Sequence, residues 1–147
     1  MEQSEKNLLE QLVKTNLSVL DDLELTEEQQ LFVVSLDGYA LTSFKHVSEE
    51  VAREAIKNYP YAIADFKDPS EELQLLAVSN NPYAISEIEV PTMAVRARAI
   101  ALDPRSITFI DNPTEAEQIL AVSLDKSTYG HILNPTKIVD SLFNTLQ

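Results

Sequence analysis

The sequence predicts an all-α fold: an α-solenoid of tandem 22-residue units, each joining one α-helix to one short α or 3₁₀ helix. Three observations carry this prediction. A 22-residue phrase recurs without insertion at 26–47, 48–69, 70–91, 92–113 and 114–135, and a partial sixth copy begins at Thr136. Every copy opens on Ser or Thr, and proline marks the end of several of them. Between these marks, apolar residues recur at the spacing of one helix face. A period of about 20–50 residues marks architectures in which each unit buries its apolar face only against its neighbours.

Taken in order, residues 1–25 read as a degenerate N-terminal capping unit. They keep Ser4-Glu5 and two apolar runs, Leu8, Leu9, Leu12 and Val13, then Leu17, Val19, Leu20 and Leu23, but lack the proline and tyrosine marks. In residues 26–135, Thr26, Ser48, Ser70, Thr92 and Thr114 stand ahead of helix-compatible runs as N-caps, and four of the five are followed directly by Glu. Pro69, Pro91 and Pro113 stop one unit before the next cap. Position eight of each copy is Val33, Ala55, Ala77, Ala99 or Ala121, and position nine is Val34, Ile56, Val78, Ile100 or Val122. These pairs should face inward, together with Val51, Leu73 and Val95 one turn earlier.

The second half of each unit opens with Asp37-Gly38, Tyr59-Pro60, Asn81-Pro82, Asp103-Pro104 or Asp125-Lys126. Where Asp or Asn precedes Gly or Pro, the pair reads as a fresh cap, because proline at the first helical position gives up an N–H that has no partner there. A helix of about two turns follows. Its expected inward residues are Leu41, Ile63, Ile85, Ile107 and Tyr129, then Phe44, Phe66, Ile88, Ile110 and Ile132 three residues on. Residues 136–147 supply a final capping helix with Ile138, Val139, Leu142, Phe143 and Leu146 at helical spacing. No linker or second composition is visible, so 1–147 is expected to be a single elongated helical-repeat domain.

The run Val95-Arg96-Ala97-Arg98-Ala99-Ile100-Ala101-Leu102-Asp103-Pro104 resembles the leucine-rich variant repeat. That resemblance implies units of one α-helix and one 3₁₀ helix in a right-handed superhelix. Some members carry an iron–sulfur cluster on cysteines, and this chain has none to match. The phrase from Ser70 to Ile85 is similar to helical repeats of phage and giant-virus proteins, a resemblance that implies no known activity and carries over no catalytic residue.

Composition narrows the classes of function. With 24 acidic against 11 basic residues the formal net charge is −13, which disfavours direct binding to nucleic acid or anionic membranes. The apolar content, 44% and periodic, argues for a folded chain and not an acidic disordered tail. Without cysteine there are no disulfides, thiolate nucleophiles or zinc–cysteine sites, and no apolar run matches a membrane span or secretory leader. A cytoplasmic setting is the default. His46 and His131 occupy different repeat positions with no partner at metal-ligand spacing, and two glycines, Gly38 and Gly130, cannot build a phosphate-cradling loop. No catalytic residue, metal or cofactor is therefore expected.

Candidate binding residues lie among what varies between copies. Glu27, Glu28, Glu49, Glu50, Glu71 and Glu72 recur at helix starts and would form an acidic ridge, although first-turn acids also simply complement the helix dipole. Tyr39, Tyr61 and Tyr83 share one position in three consecutive copies, as either a structural ladder or an interface. Arg96, Arg98 and Arg105 give residues 92–113 a net charge of +1, against −4 for 70–91. Gln30, Gln74 and Gln118 mark position five and read as parts of solvated polar faces. The function expected is a non-enzymatic protein–protein interaction module whose partner has a basic surface, such as a virus-encoded adaptor or inhibitor of a host protein. The alternative is an acidic mimic of nucleic acid that blocks a DNA- or RNA-binding defence protein. Oligomeric state does not follow from the sequence.

Overall fold

A computed structural model describes residues 1–147 and contains only helices and their connections. The α-helices are α1 (Gln3–Thr15), α2 (Glu27–Leu36), α3 (Glu49–Asn58), α4 (Glu71–Asn80), α5 (Met93–Leu102), α6 (Glu115–Leu124) and α7 (Lys137–Thr145). Each of the first six is followed by a six-residue 3₁₀ helix: η1 (Leu17–Asp22), η2 (Gly38–Ser43), η3 (Pro60–Asp65), η4 (Pro82–Glu87), η5 (Pro104–Phe109) and η6 (Lys126–His131). The tandem alternation of long and short helices is the architecture the repeat predicts. The chain divides into two compact units, Met1–Leu76 and Ala77–Gln147, with the division inside α4.

The caps explain why each helix starts where it does. The hydroxyls of Thr26, Ser48, Ser70, Thr92, Thr114 and Thr136 each accept the N–H three residues on, at 3.3–3.4 Å. In α2 and α6 the side chains of Gln29 and Glu117 return the bond to the cap N–H, completing a capping box. At the N-terminus the cap is Glu2, not Ser4, and α1, with 13 residues, runs longer than the ten-residue helices α2 to α6. At the second start of each repeat, Asp37, Asn81, Asp103 and Asp125 accept the N–H two residues on. Tyr59 makes no such cap, and Pro60 alone sets the helical φ of η3.

The α-helical inward row is buried, and the short-helix row is enclosed except at Tyr129, which is half-buried with its ring stacked on Phe143 at 4.1 Å and its Oη donating to Asp140 Oδ1 at 2.8 Å. The position-eight and position-nine residues, from Val33-Val34 to Ala121-Val122, are fully enclosed, as are Val51, Leu73 and Val95. In the 3₁₀ helices Leu41, Ile63, Ile85 and Ile107 are buried, and the residue three positions later lies on the same face because i and i+3 eclipse in a 3₁₀ helix. Ile88, Ile110 and Ile132 fill that place as buried residues, Phe44 and Phe66 as half-buried ones. Ala40, Ala62 and Ala84 occupy the tightest position of η2, η3 and η4, with Ser106 and Thr128 in their place in η5 and η6. In the first unit α2 packs on α3 and η2 on η3; in the second α5, α6 and α7 pack in sequence, as do η4, η5 and η6. Each of α3, α5 and α6 also rests on the 3₁₀ helix that precedes it. Each buried Val, Leu or Ile contributes about 1.5–3 kcal/mol.

Position five departs from the sequence expectation. Gln74 and Gln118 are buried, 6% and 4% exposed, and are not part of a solvated face. Gln118 donates from Nε2 to Pro113 O at 3.0 Å and Asn134 O at 3.3 Å, while its Oε1 accepts from Thr136 N at 3.1 Å. Gln30 spans the same two points, from Leu25 O at 3.3 Å to His46 O at 3.2 Å, and Gln74 donates to Pro69 O at 3.0 Å. In Gln30 and Gln118 the primary amide thus staples the junction before its helix to the junction after it, satisfying carbonyls that lie outside any helix.

Two copies lack this glutamine, and their junctions differ. The only positive-φ residues other than glycine are Asp68, at 52°, and Asn112, at 49°. They follow Ala52 and Arg96, the two residues that replace glutamine at position five. His46, Val90 and Asn134, at the same place after Gln30, Gln74 and Gln118, are not left-handed. Asp and Asn are the side chains that tolerate this conformation best. In the fourth copy Arg96 Nη2 reaches Asp111 O and Asn112 O at 3.4 and 3.5 Å, in place of the amide.

Candidate interaction surface

The six ridge glutamates all fall in unit 1, on the first turns of α2, α3 and α4, and all are exposed. First-turn placement follows from the caps: the residues after Ser or Thr leave the core stripe before the first inward position. Arg53, on α3, spans two of them, with Nη1 on Glu72 Oε1 at 2.7 Å and Nη2 on Glu49 Oε1 at 3.3 Å; Ser70 Oγ also donates to Glu49, at 3.0 Å. The Met1 ammonium donates to Glu28 Oε1 at 2.7 Å and pulls that carboxyl below its ordinary range. Glu27, Glu50 and Glu71 point into solvent. Unit 1 as a whole holds 16 acidic and 6 basic residues.

Beside the ridge, an open groove of about 400 Å³ runs between the junctions Asp21–Leu25 and Ser43–His46, with Gln30 beneath it. A shallower extension reaches Glu27, Val47 and Ser48. Unit 2 has the counterpart, about 340 Å³, between Ile107–Pro113 and His131–Asn134 over Gln118. His46 and His131, different in repeat position, both line these grooves. No cluster of three or more His, Asp or Glu is arranged to hold a metal ion.

The tyrosines lie at the other end of the helices. The ridge is at the N-termini of the α-helices, whereas Tyr39, Tyr61 and Tyr83 begin the 3₁₀ helices, beyond the α-helix C-termini. A ten-residue helix separates such positions by about 15 Å. In unit 1 the neighbour of Tyr39 is Tyr59, edge-on at 6.0 Å between ring centroids, and Tyr59 in turn meets Tyr61 at 5.6 Å. The ladder thus pairs the first turn of one 3₁₀ helix with the cap position of the next. Tyr39 stays half-exposed, at 53%, and Tyr59 is also open to solvent.

Unit 2 repeats that pairing with polar chemistry. Tyr83 Oη donates to Asp103 Oδ2 at 2.6 Å, and its ring meets Phe109 edge-on at 5.6 Å. Arg105 forks onto the same carboxylate through Nε and Nη2 at 3.1 and 2.8 Å, with its guanidinium 6.0 Å from the Tyr83 ring centroid. The bonds from Arg105 and then Tyr83 hold the Asp103 carboxyl well below the usual carboxylate range, and the guanidinium is correspondingly harder to deprotonate. The sequence singles out neither Asp103 nor Phe109 as part of a site. A phenol 20 residues before an aspartate is a signal only once the pairing across repeats is known.

The three arginines do not form one patch. Arg96 donates to Glu117 Oε2 at 2.8 Å, and both are largely enclosed, with side chains 20% and 8% exposed. Its guanidinium therefore joins α5 to α6. Arg98 is exposed and donates to Ser79 Oγ at 3.2 Å, and Arg105 is committed to Asp103. Among the predicted residues, the structure brings together the six glutamates, and Tyr39 with Tyr61 through Tyr59. No known family, curated protein or solved structure matches the chain.

Proposed function

We propose that this chain is a non-enzymatic protein-binding module that offers the acidic ridge of unit 1 to a partner with a basic surface. The observation that carries the reading is the exposure of all six first-turn glutamates, of which Arg53 and the Met1 ammonium pair with only three. A dipole-complementing acid is equally served by one residue per helix, whereas paired acids on consecutive helices create a potential that steers a cationic partner. Repeated surfaces of this kind favour an adaptor or an inhibitor over a catalyst, because the cavities beside them are open grooves. No helix is long and apolar enough to cross a membrane, and the proposed setting is the cytoplasm.

A second reading uses the same carboxylates as a mimic of nucleic-acid phosphates, directed at a DNA- or RNA-binding protein. One experiment separates the two. The wild type, a variant with Glu27, Glu28, Glu49, Glu50, Glu71 and Glu72 all changed to Gln, and a variant with Tyr39, Tyr61 and Tyr83 changed to Ala serve as bait in a native cell extract. Proteins held by the wild type and the tyrosine variant but lost by the glutamine variant support the ridge. If duplex DNA displaces those proteins with a steep salt dependence, the mimic reading holds. Retention by the glutamine variant would sink both.

A further inference from the structure

We propose that Asp37, Tyr39 and Tyr59 of unit 1 form a binding site for an arginine side chain presented by a partner protein. The inference does not rest on the acidic ridge, which lies at the opposite ends of the α-helices. Its precedent is inside the chain. In unit 2 the guanidinium of Arg105 lies 6.0 Å from the Tyr83 ring centroid and forks onto Asp103. Asp103 Oδ1 also accepts the Arg105 N–H, and Oδ2 accepts the Tyr83 phenol. Ring, carboxylate and cation there come from two consecutive repeats, and the group is complete.

Unit 1 has the ring and the carboxylate without the cation. Tyr39 holds the repeat position of Tyr83, while Tyr59 and Tyr61, in the next repeat, replace Asp103 and Arg105. Tyr59 meets Tyr39 edge-on, with 76° between planes and 6.0 Å between centroids, so the two rings form a corner. The two residues are 53% and 37% exposed, which leaves ring surface open to solvent. Lys6 stands over Phe32 and Arg105 over Tyr83, and neither cation reaches this corner. The carboxylate is Asp37, two residues before Tyr39 as Asp103 is two residues before Arg105. Its Oδ1 accepts the Tyr39 N–H at 3.0 Å, as Asp103 Oδ1 does for Arg105, and its Oδ2 takes no bond from the protein. Aromatic faces attract cations, and a carboxylate beside them selects a flat cation that can stack and fork at once. A guanidinium does both, whereas an ammonium is a point charge without the fork. The 16 acidic against 6 basic residues of unit 1 draw such a group toward it.

The experiment is an NMR titration of the full chain with N-acetyl-arginine amide, and with N-acetyl-citrulline amide as its uncharged isostere. The arginine compound should bind with a Kd on the order of 1–10 mM, its δ-CH2 protons moving upfield under the ring currents. Citrulline should bind at least about tenfold more weakly. Asp37→Asn keeps the cap, as Asn81 does for Tyr83 N, and should weaken arginine binding about fivefold or more. Tyr39→Leu should remove the upfield shift, whereas Tyr39→Phe retains the ring face and the binding. No arginine binding up to about 50 mM overturns the proposal, and so does equal binding of citrulline. Binding that is unchanged when Asp37→Asn and Tyr39→Leu are combined also overturns it. If that binding is then lost on changing the six ridge glutamates to Gln, the arginine sits on the ridge and not in the corner.

Discussion

At the scale of single residues, several positions that differ between copies add contacts between neighbouring repeats to those of the buried rows. Gly38 is one: a Cβ there would lie 2.4 Å from Ala55 O and 2.8 Å from Tyr59 Cβ, while its N–H donates to Asn58 Oδ1 at 3.0 Å. Gly38→Ala should destabilise the protein by about 2 kcal/mol or more, measured by urea unfolding, because backbone must move to admit the methyl group. Gln118→Ala removes three hydrogen bonds and should cost about 1–3 kcal/mol. The same variant should shift Asn134 to positive φ, as at Asn112, which the HN–Hα coupling of Asn134 reports directly. Asp103 gives a pH-dependent test. Its folded carboxyl titrates below the unfolded value of about 3.9, so its contribution is present above that value and is lost as pH falls through the lower, folded one. The stability gap between wild type and Asp103→Asn should therefore be widest at neutral pH and close in strong acid, as followed by thermal unfolding.

At the scale of elements, every helix is bounded by its own sequence. The Ser and Thr caps are legible because a hydroxyl before a helical run has one use, to accept an orphan N–H. Ser48→Ala should cost about 1 kcal/mol and raise amide exchange in the first turn of α3. The second half of each repeat is legible only in outline: the sequence allows α or 3₁₀ for its two turns, and in all five repeats the structure is 3₁₀. The Asp or Asn cap bonds two residues ahead and the closing residue bonds three back, as Phe44 N does to Leu41 O at 3.1 Å, which leaves no room for an i→i+4 bond to propagate. In η5, Ser106 occupies a position that is alanine in η2, η3 and η4, and its buried Oγ has no hydrogen-bond partner. Ser106→Ala should be neutral or stabilising by up to about 1 kcal/mol in the same unfolding assay.

At the scale of the whole molecule, the charge dominates. The formal −13 is concentrated where the ridge lies, and local ion pairs such as Arg53 with Glu49 and Glu72 offset little of it. The thermal midpoint should therefore rise from low salt to about 0.5 M salt, as screening relieves the repulsion among the carboxylates. A falling midpoint would mean that the ion pairs contribute more than the repulsion removes. The ridge itself was legible in the sequence, because first-turn acids at a 22-residue period must recur on one edge of the stacked helices. The tyrosines share a repeat position in the same way, but nothing local shows that Tyr59 stands between Tyr39 and Tyr61.

The sequence by itself determined the period, the caps, the breakers and the buried rows, because each of these depends on a residue and its neighbours within one turn or one repeat. It also determined where the acids emerge. Only the tertiary structure decided the roles of long polar side chains. Gln118 and Arg96 look like surface residues on a helical wheel, yet they reach across the junctions to carbonyls 15 or more residues away. The groove in which Leu133 stands was likewise invisible, because it is formed by two junctions about one repeat apart and by the isoleucines beneath them. Local pattern reports which face is apolar; the reach of a flexible side chain, and the space left between stacked turns, depend on where the next repeat lies.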